Sequence, residues 1–190
     1  PPSTPASDPA LILKYTTTTS SESIEIKGTG TGYNYDVDWG DSSSDSGVTT
    51  ATKTHTYSAA GTYTVKITGA FPKPQFGSMS STNKAKIVEL SNWGDIQYLS
   101  LYRAFDGCSN MEYAATDTPD FSAATANTSN MLRQCFKSCS GITNAMNLSS
   151  WTNLECVGNY GLNEFMKSCS NISSVNLSGW NLPNANNSSN

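Results

Sequence analysis

Two rhythms of apolar and polar residues divide the chain. From residue 11 to about residue 69 they alternate in short runs: Ser23-Ile24-Glu25-Ile26-Lys27, Tyr33-Asn34-Tyr35-Asp36-Val37-Asp38-Trp39 and Thr62-Tyr63-Thr64-Val65-Lys66-Ile67. A period of two sends alternate side chains to opposite faces, so these runs predict strands. Between them lie Gly28-Thr29-Gly30-Thr31-Gly32, residues 40–47 and Ser58-Ala59-Ala60-Gly61. In such clusters Gly, Asp and Ser relax or satisfy the backbone locally, which predicts turns. Short strands with regularly spaced turns make an antiparallel β-sandwich.

After Phe71-Pro72-Lys73-Pro74 the pattern changes and the chain begins to repeat itself. Leu90-Ser91-Asn92-Trp93, Leu148-Ser149-Ser150-Trp151 and Leu177-Ser178-Gly179-Trp180 place tryptophans 58 and then 29 residues apart. A period near 29 puts a further copy around residue 122, where Asp120-Phe121-Ser122 is a degenerate version. A second marker keeps the same beat, in Phe105-Asp106-Gly107-Cys108-Ser109, Phe136-Lys137-Ser138-Cys139-Ser140 and Met166-Lys167-Ser168-Cys169-Ser170. Before each of these cysteines apolar residues fall at helical spacing, as in Leu132, Cys135, Phe136 and Cys139. After it comes a short apolar stretch such as Ser174-Val175-Asn176-Leu177. One short helix and one strand per unit predict an α/β solenoid of the leucine-rich-repeat type, in which each unit buries its apolar side against its neighbours.

Both halves carry family resemblances. Asp38-Trp39-Gly40-Asp41, His55-Thr56-Tyr57 and Gly61-Thr62-Tyr63-Thr64-Val65 resemble the signature of the PKD domain, an immunoglobulin-like sandwich of extracellular proteins. Ser42 departs from it, standing where that family commonly has a second turn glycine. The Cys-Ser and Leu-Ser-x-Trp elements resemble the BspA-like leucine-rich-repeat proteins of bacterial, protist and phage-encoded surfaces. The Pro/Ser/Thr-rich opening, 1–10, reads as a linker, and the resemblance implies an 11–70 sandwich, a 71–85 connector and an 86–190 solenoid that continues beyond this chain or is capped by a partner. It also implies a non-enzymatic protein of the cell surface, extracellular space or virion surface, with a glycan, a protein or copies of itself as partner.

Composition narrows the classes. Among 190 residues only 14% are charged, and 11 basic against 15 acidic side chains leave a net charge of −4. That is well under the roughly 25% of ordinary soluble domains, and it offers no basic footprint for nucleic acid or anionic lipid. No apolar run approaches the roughly 20 residues of a membrane-spanning helix.

Candidate chemistry is sparse. Asp36, Asp38, Asp41 and Asp45 are closely spaced hard oxygen ligands, a weak calcium site without the EF-hand pattern of Gly and Glu. His55, the one histidine, is expected to make a structural hydrogen bond rather than serve a triad. The glycines at 28, 30 and 32 do not match a phosphate loop, since a strand follows them. Cys108, Cys139 and Cys169 share a repeat position and are expected as a buried column of free thiols, while Cys135 and Cys156 are open to pairing. Trp93, Trp151 and Trp180 suit a packing ladder, with an exposed sugar-stacking rail as the alternative. Asn127, Asn147, Asn171, Asn176, Asn186 and Asn187 open glycosylation sequons.

No cofactor and no catalytic residue are expected. A binding or adhesion protein leads, against a structural subunit of a filament or virion fibre, or an accessory region of a secreted hydrolase.

Overall fold

The structure, a computed structural model, describes residues 8–182 apart from 126, 127, 153, 155 and 156. The fold is all-β. Six strands occupy the first half: β1 (Leu11–Thr17), β2 (Glu22–Lys27), β3 (Asn34–Asp38), β4 (Ser44–Val48), β5 (Thr52–Tyr57) and β6 (Gly61–Ala70). Strand β4 lies within the cluster expected as a turn, because Asp45 and Val48 pair with Val37 and Tyr35 of β3. A short α1 (Ser81–Ala85), capped by the Ser80 hydroxyl on the Asn83 amide, leads to β7 (Ile87–Asn92). Two-residue strands follow: β8 (Glu112–Tyr113), β9 (Met146–Asn147) and β10 (Val175–Asn176).

The strands form a six-stranded sheet, ordered β4-β3-β6-β1-β7-β8, and a two-stranded sheet of β2 and β5. Their alternation is the one the sequence predicts: Leu11, Leu13 and Tyr15 of β1 are buried and face Ile67, Val65 and Tyr63 of β6 in antiparallel register. Ile24 and Ile26 of β2 and Tyr57 of β5 enter the same core. The sheet crosses the boundary expected at residue 86, since β7 pairs antiparallel with β1 and then parallel with β8. Gly94 takes φ +71 where a Cβ would stand 2.4 Å from the Pro9 carbonyl oxygen, so only glycine lets the chain close on residues 9 and 10 there.

The helices expected before each cysteine are absent, and this corrects the α/β reading of the repeats. Among the described residues α1 is the only α-helix. Residues 130–139 form successive turns, in which the amides of Arg133, Cys135, Lys137 and Cys139 each bond to the carbonyl three residues back. The alternate amides of Asn130, Leu132, Gln134, Phe136 and Ser138 turn outward, onto the carbonyls of Asn159, Gly161, Asn163, Phe165 and Lys167 at 2.8–3.1 Å. Leu101, Arg103, Phe105 and Gly107 likewise donate to Met131, Arg133, Cys135 and Lys137. Every fourth residue adopts a left-handed backbone: Asn130, Gln134 and Ser138, then Tyr160, Glu164 and Ser168. A period of four buries positions i, i+3, i+4 and i+7, as a helix of period 3.6 does, and ten residues are too few to separate the two.

Side chains stack along the same direction. Phe105 and Phe136 are parallel at 5.8 Å, Phe165 lies 5.5 Å beyond, and Phe76 of the connector stacks 5.4 Å from Phe105 on the other side. Trp151 packs edge-on to Trp93 at 5.5 Å and stacks with Trp180 at 5.8 Å. Phe121 takes the place of the missing tryptophan, 6.0 Å from Trp151. The tryptophans form an internal ladder, with Trp93 and Trp151 at most 1% exposed.

Candidate functional site

Each aspartate of the weak calcium set is engaged separately. Asp36 accepts from the Gly47 amide at 2.7 Å, and Asp38 from the Gly40 amide at 2.9 Å. Asp45 holds the Trp39 indole N–H and the Lys53 ammonium, each at 2.9 Å. Asp41 takes the Ser43 hydroxyl and amide and His55 Nε2. The Ser43 hydroxyl bond, followed by the His55 contact, holds the Asp41 carboxyl down at about 2. Among the described residues no three of His, Cys, Asp or Glu gather as metal ligands would.

His55 lies flat on Trp39 at 4.8 Å, edge-on to Tyr57, whose hydroxyl donates to the Trp39 carbonyl. A Ser-His-Asp relay needs acid and serine on opposite ring nitrogens. Here Asp41 and Ser43 both approach Nε2, at 2.8 and 3.5 Å, and Ser43 donates to Asp41. The cluster pins β5 onto the β3–β4 turn.

The cysteine column is buried and its thiols are free. Cys139 donates to the Phe105 carbonyl and Cys169 to the Phe136 carbonyl. Burial pushes the Cys108 thiol up to about 12, far from the thiolate that reaction requires. Cys135 is buried in the same core, and its pairing with Cys156 lies outside the described residues. Of the sequons, Asn127, Asn186 and Asn187 also lie outside them. The Asn147 and Asn176 side chains accept from the amides of Ser149 and Ser178, closing small turns, and Asn171 donates to the Ser140 carbonyl. The glycine loop is equally occupied, Gly28 N–H bonding to Ala51 and Thr29 N–H to Lys73.

What remains is a pair of concavities on the seam between the halves, which sequence reasoning missed. The smaller, about 350 Å³, is lined by Thr29, Lys73, Pro74, Leu99, Ser100, Tyr102, Thr125, Thr128 and Ser129. The larger, about 490 Å³, shares Leu99 and is mostly apolar, with Pro9, Pro72, Ala70 and Ala123 on its walls and Asp95 and Gln97 at its edge. Both volumes fall within the ordinary range of ligand pockets, ~300–1,000 Å³.

The walls are held by backbone bonds across the seam. The Pro72 carbonyl accepts from Leu99 N–H at 2.8 Å, and the Lys73 carbonyl from Thr29 N–H and Tyr33 Oη, both at 3.1 Å. Gly28 and Pro74 form a bridge, and Gln75 N–H reaches the Lys27 carbonyl at 2.9 Å. The one signal in the sequence was a lysine between two prolines, whose rings fix φ and hold the chain extended. Neither the protein-family models, nor the curated proteins, nor the solved structures with which the chain was compared match it.

Proposed function

We propose that this chain is a non-catalytic binding or adhesion protein of the cell surface, extracellular space or virion surface, and that its ligand lies in the concavities of the seam. In this reading residues 11–70 are a PKD-like, immunoglobulin-type sandwich acting as a spacer, and the later units are a leucine-rich-type solenoid built from turns. The single observation that carries it is the seam itself: two adjoining hollows, walled by both halves and tied by backbone hydrogen bonds. A rigid, preformed hollow loses little entropy on binding, which is what a recognition surface needs. The weakly charged, hydroxyl-rich composition fits an extracellular setting. The test is a screen of glycans and surface proteins against the chain and Ser129→Trp, which fills the smaller hollow from an exposed position. Binding reduced at least ~10-fold with unchanged thermal unfolding supports the reading; a ligand held equally by both proteins defeats it.

A second reading, a structural subunit, is favoured by the way the turn rows propagate, each donating its outward amides to the next. The outward amides of Tyr160, Leu162, Glu164, Met166 and Ser168 occupy the positions that donate to a next unit in the earlier repeats, and they meet no acceptor among the described residues. Tyr160 and Leu177 are the large apolar residues most exposed there. Light scattering across a concentration series separates the two: a monomer that keeps its ligand is a binder, and discrete oligomers or filaments are a subunit.

A further inference from the structure

The smaller hollow carries one charge. Lys73 is half-buried, and its side chain lies over Gly30, where an added Cβ would come 4.0 Å from Nζ. Among the described residues every lysine except Lys73 and Lys84 holds a carboxylate within 4.0 Å. Lys73 shares the hollow's wall with the hydroxyl residues Thr29, Ser100, Thr125, Thr128 and Ser129, and the root of its side chain is fixed by flanking prolines and by two bonds to its carbonyl. A lysine on the wall of a partly enclosed hollow, with no carboxylate within 4.0 Å, is matched by an anionic group on a ligand.

The rest of the wall suits a polyol. Thr29 and Ser129 hydroxyls make no side-chain hydrogen bond among the described residues. The Thr128 hydroxyl donates to the Thr125 carbonyl at 2.7 Å and lies 3.1 Å from the Thr125 hydroxyl, so this pair offers a ligand its acceptor lone pairs. The Thr29 and Ser129 hydroxyls can both give and take a hydrogen bond, as a sugar hydroxyl does. The backbone amides of Thr29, Leu99, Ser100 and Tyr102 are already committed, to Lys73, Pro72, Pro72 and the Ser100 hydroxyl, so an extended peptide finds few main-chain partners here. Tyr102 is steadied by the Arg133 guanidinium, 5.9 Å from its ring centroid, and with Leu99 and Pro74 supplies apolar surface for the C–H face of a sugar ring.

We propose that the smaller hollow binds a sugar carboxylate, a uronic or sialic acid unit of a glycan, with the carboxylate on Lys73 Nζ. The larger hollow takes the uncharged neighbouring unit across Leu99. The inference rests on the binding reading above and goes beyond it in naming the ligand class.

The test is a glycan array carrying carboxylated, sulfated and neutral saccharides, read with the intact chain and with Lys73→Gln, Lys73→Arg, Ser129→Trp and, as a control, Lys84→Gln. Uronates and sialosides, both on the array, separate the two sources of the same chemistry. The expected result is retention of a carboxylated glycan, weakened at least ~10-fold in Lys73→Gln and Ser129→Trp, kept in Lys73→Arg and Lys84→Gln, and weakened by salt. Thermal unfolding of each variant is measured beside it. A neutral glycan held equally by the wild type and Lys73→Gln but lost in Ser129→Trp overturns the carboxylate assignment and leaves the seam as a binding site. Preference for sulfated glycans, or no glycan retained at all, also overturns it; in the latter case the protein screen with Ser129→Trp decides the broader reading alone.

Discussion

The two halves use the same bonds in different ways. In the sandwich half a strand meets partners far along the chain, β1 lying between β6 and β7, and the sheets close over side chains from both. In the repeats each outward amide of the first two turn rows meets the carbonyl of the residue just before its counterpart in the next unit, and Phe stacks on Phe and Trp on Trp. The first arrangement closes on itself. The second propagates, so its stability depends on neighbours: the first turn row is covered by the connector, where Gly77 N–H reaches the Arg103 carbonyl, and the last row is uncovered among the described residues.

The largest test of that contrast is Trp151→Ser. Trp151 touches Trp93, Phe121, Phe165 and Trp180, so the loss should be about 3–5 kcal/mol and should unfold the repeats on both sides together. Thermal unfolding by circular dichroism reads it, and an unchanged transition would break the picture of stacked units. Phe105→Ala, at the contact with Phe76, should cost a similar ~3–5 kcal/mol but lower the stability of both halves, because that pair joins them.

Acid is a smaller lever and reaches both halves. Asp41 in the sandwich and Glu164 in the repeats both have folded values of about 2, below their ordinary 3.8 and 4.5. Ser43 and His55 lower the first, and Lys137, Lys167 and Gln134 the second. A carboxyl depressed on folding contributes stability that is present above its unfolded value and lost as pH falls through its folded one. Stability should therefore drop between about pH 4.5 and 2, and Asp41→Asn should flatten part of that slope in denaturant titrations.

The thiols separate burial from reactivity. Cys108 and Cys139 should resist alkylation at pH 8 in the native state and react once unfolded, read by peptide mapping, because burial raises both. The smallest effect compares backbone strain across the halves. Ser42 in the sandwich has φ 73 and Ser138 in the repeats φ 57, and Gly107 fills the place of Ser138 in the earlier copy. Ser42→Gly and Ser138→Gly should each raise stability by about 0.5–1 kcal/mol, since a left-handed residue with a Cβ costs about 1–2 kcal/mol and glycine returns part of that as entropy.

Ser42 also shows how the sequence can be read and misread. It departs from the glycine of the PKD pattern, yet the turn keeps the left-handed conformation that glycine would favour, held by Asp41 capping Ser43 and bonding His55. The seam was harder to foresee: Lys73, Ser100 and Ser129 belong to no shared motif and meet only because β7 docks on β1 and Pro72 takes the Leu99 amide.

The sequence by itself determined the alternating strands β2, β3 and β6, the period near 29 and the inward positions of Trp93, Trp151 and the cysteine column. Alternation and repetition are local or self-referential, and burial follows from them directly. Only the tertiary structure decided that the apolar spacing before each cysteine belongs to turns rather than helices. That choice is made by amides reaching carbonyls 29 or 30 residues away, and a short apolar spacing carries no information about distant partners. The seam was decided there as well, because a hollow is the space left between two halves rather than a property of either one.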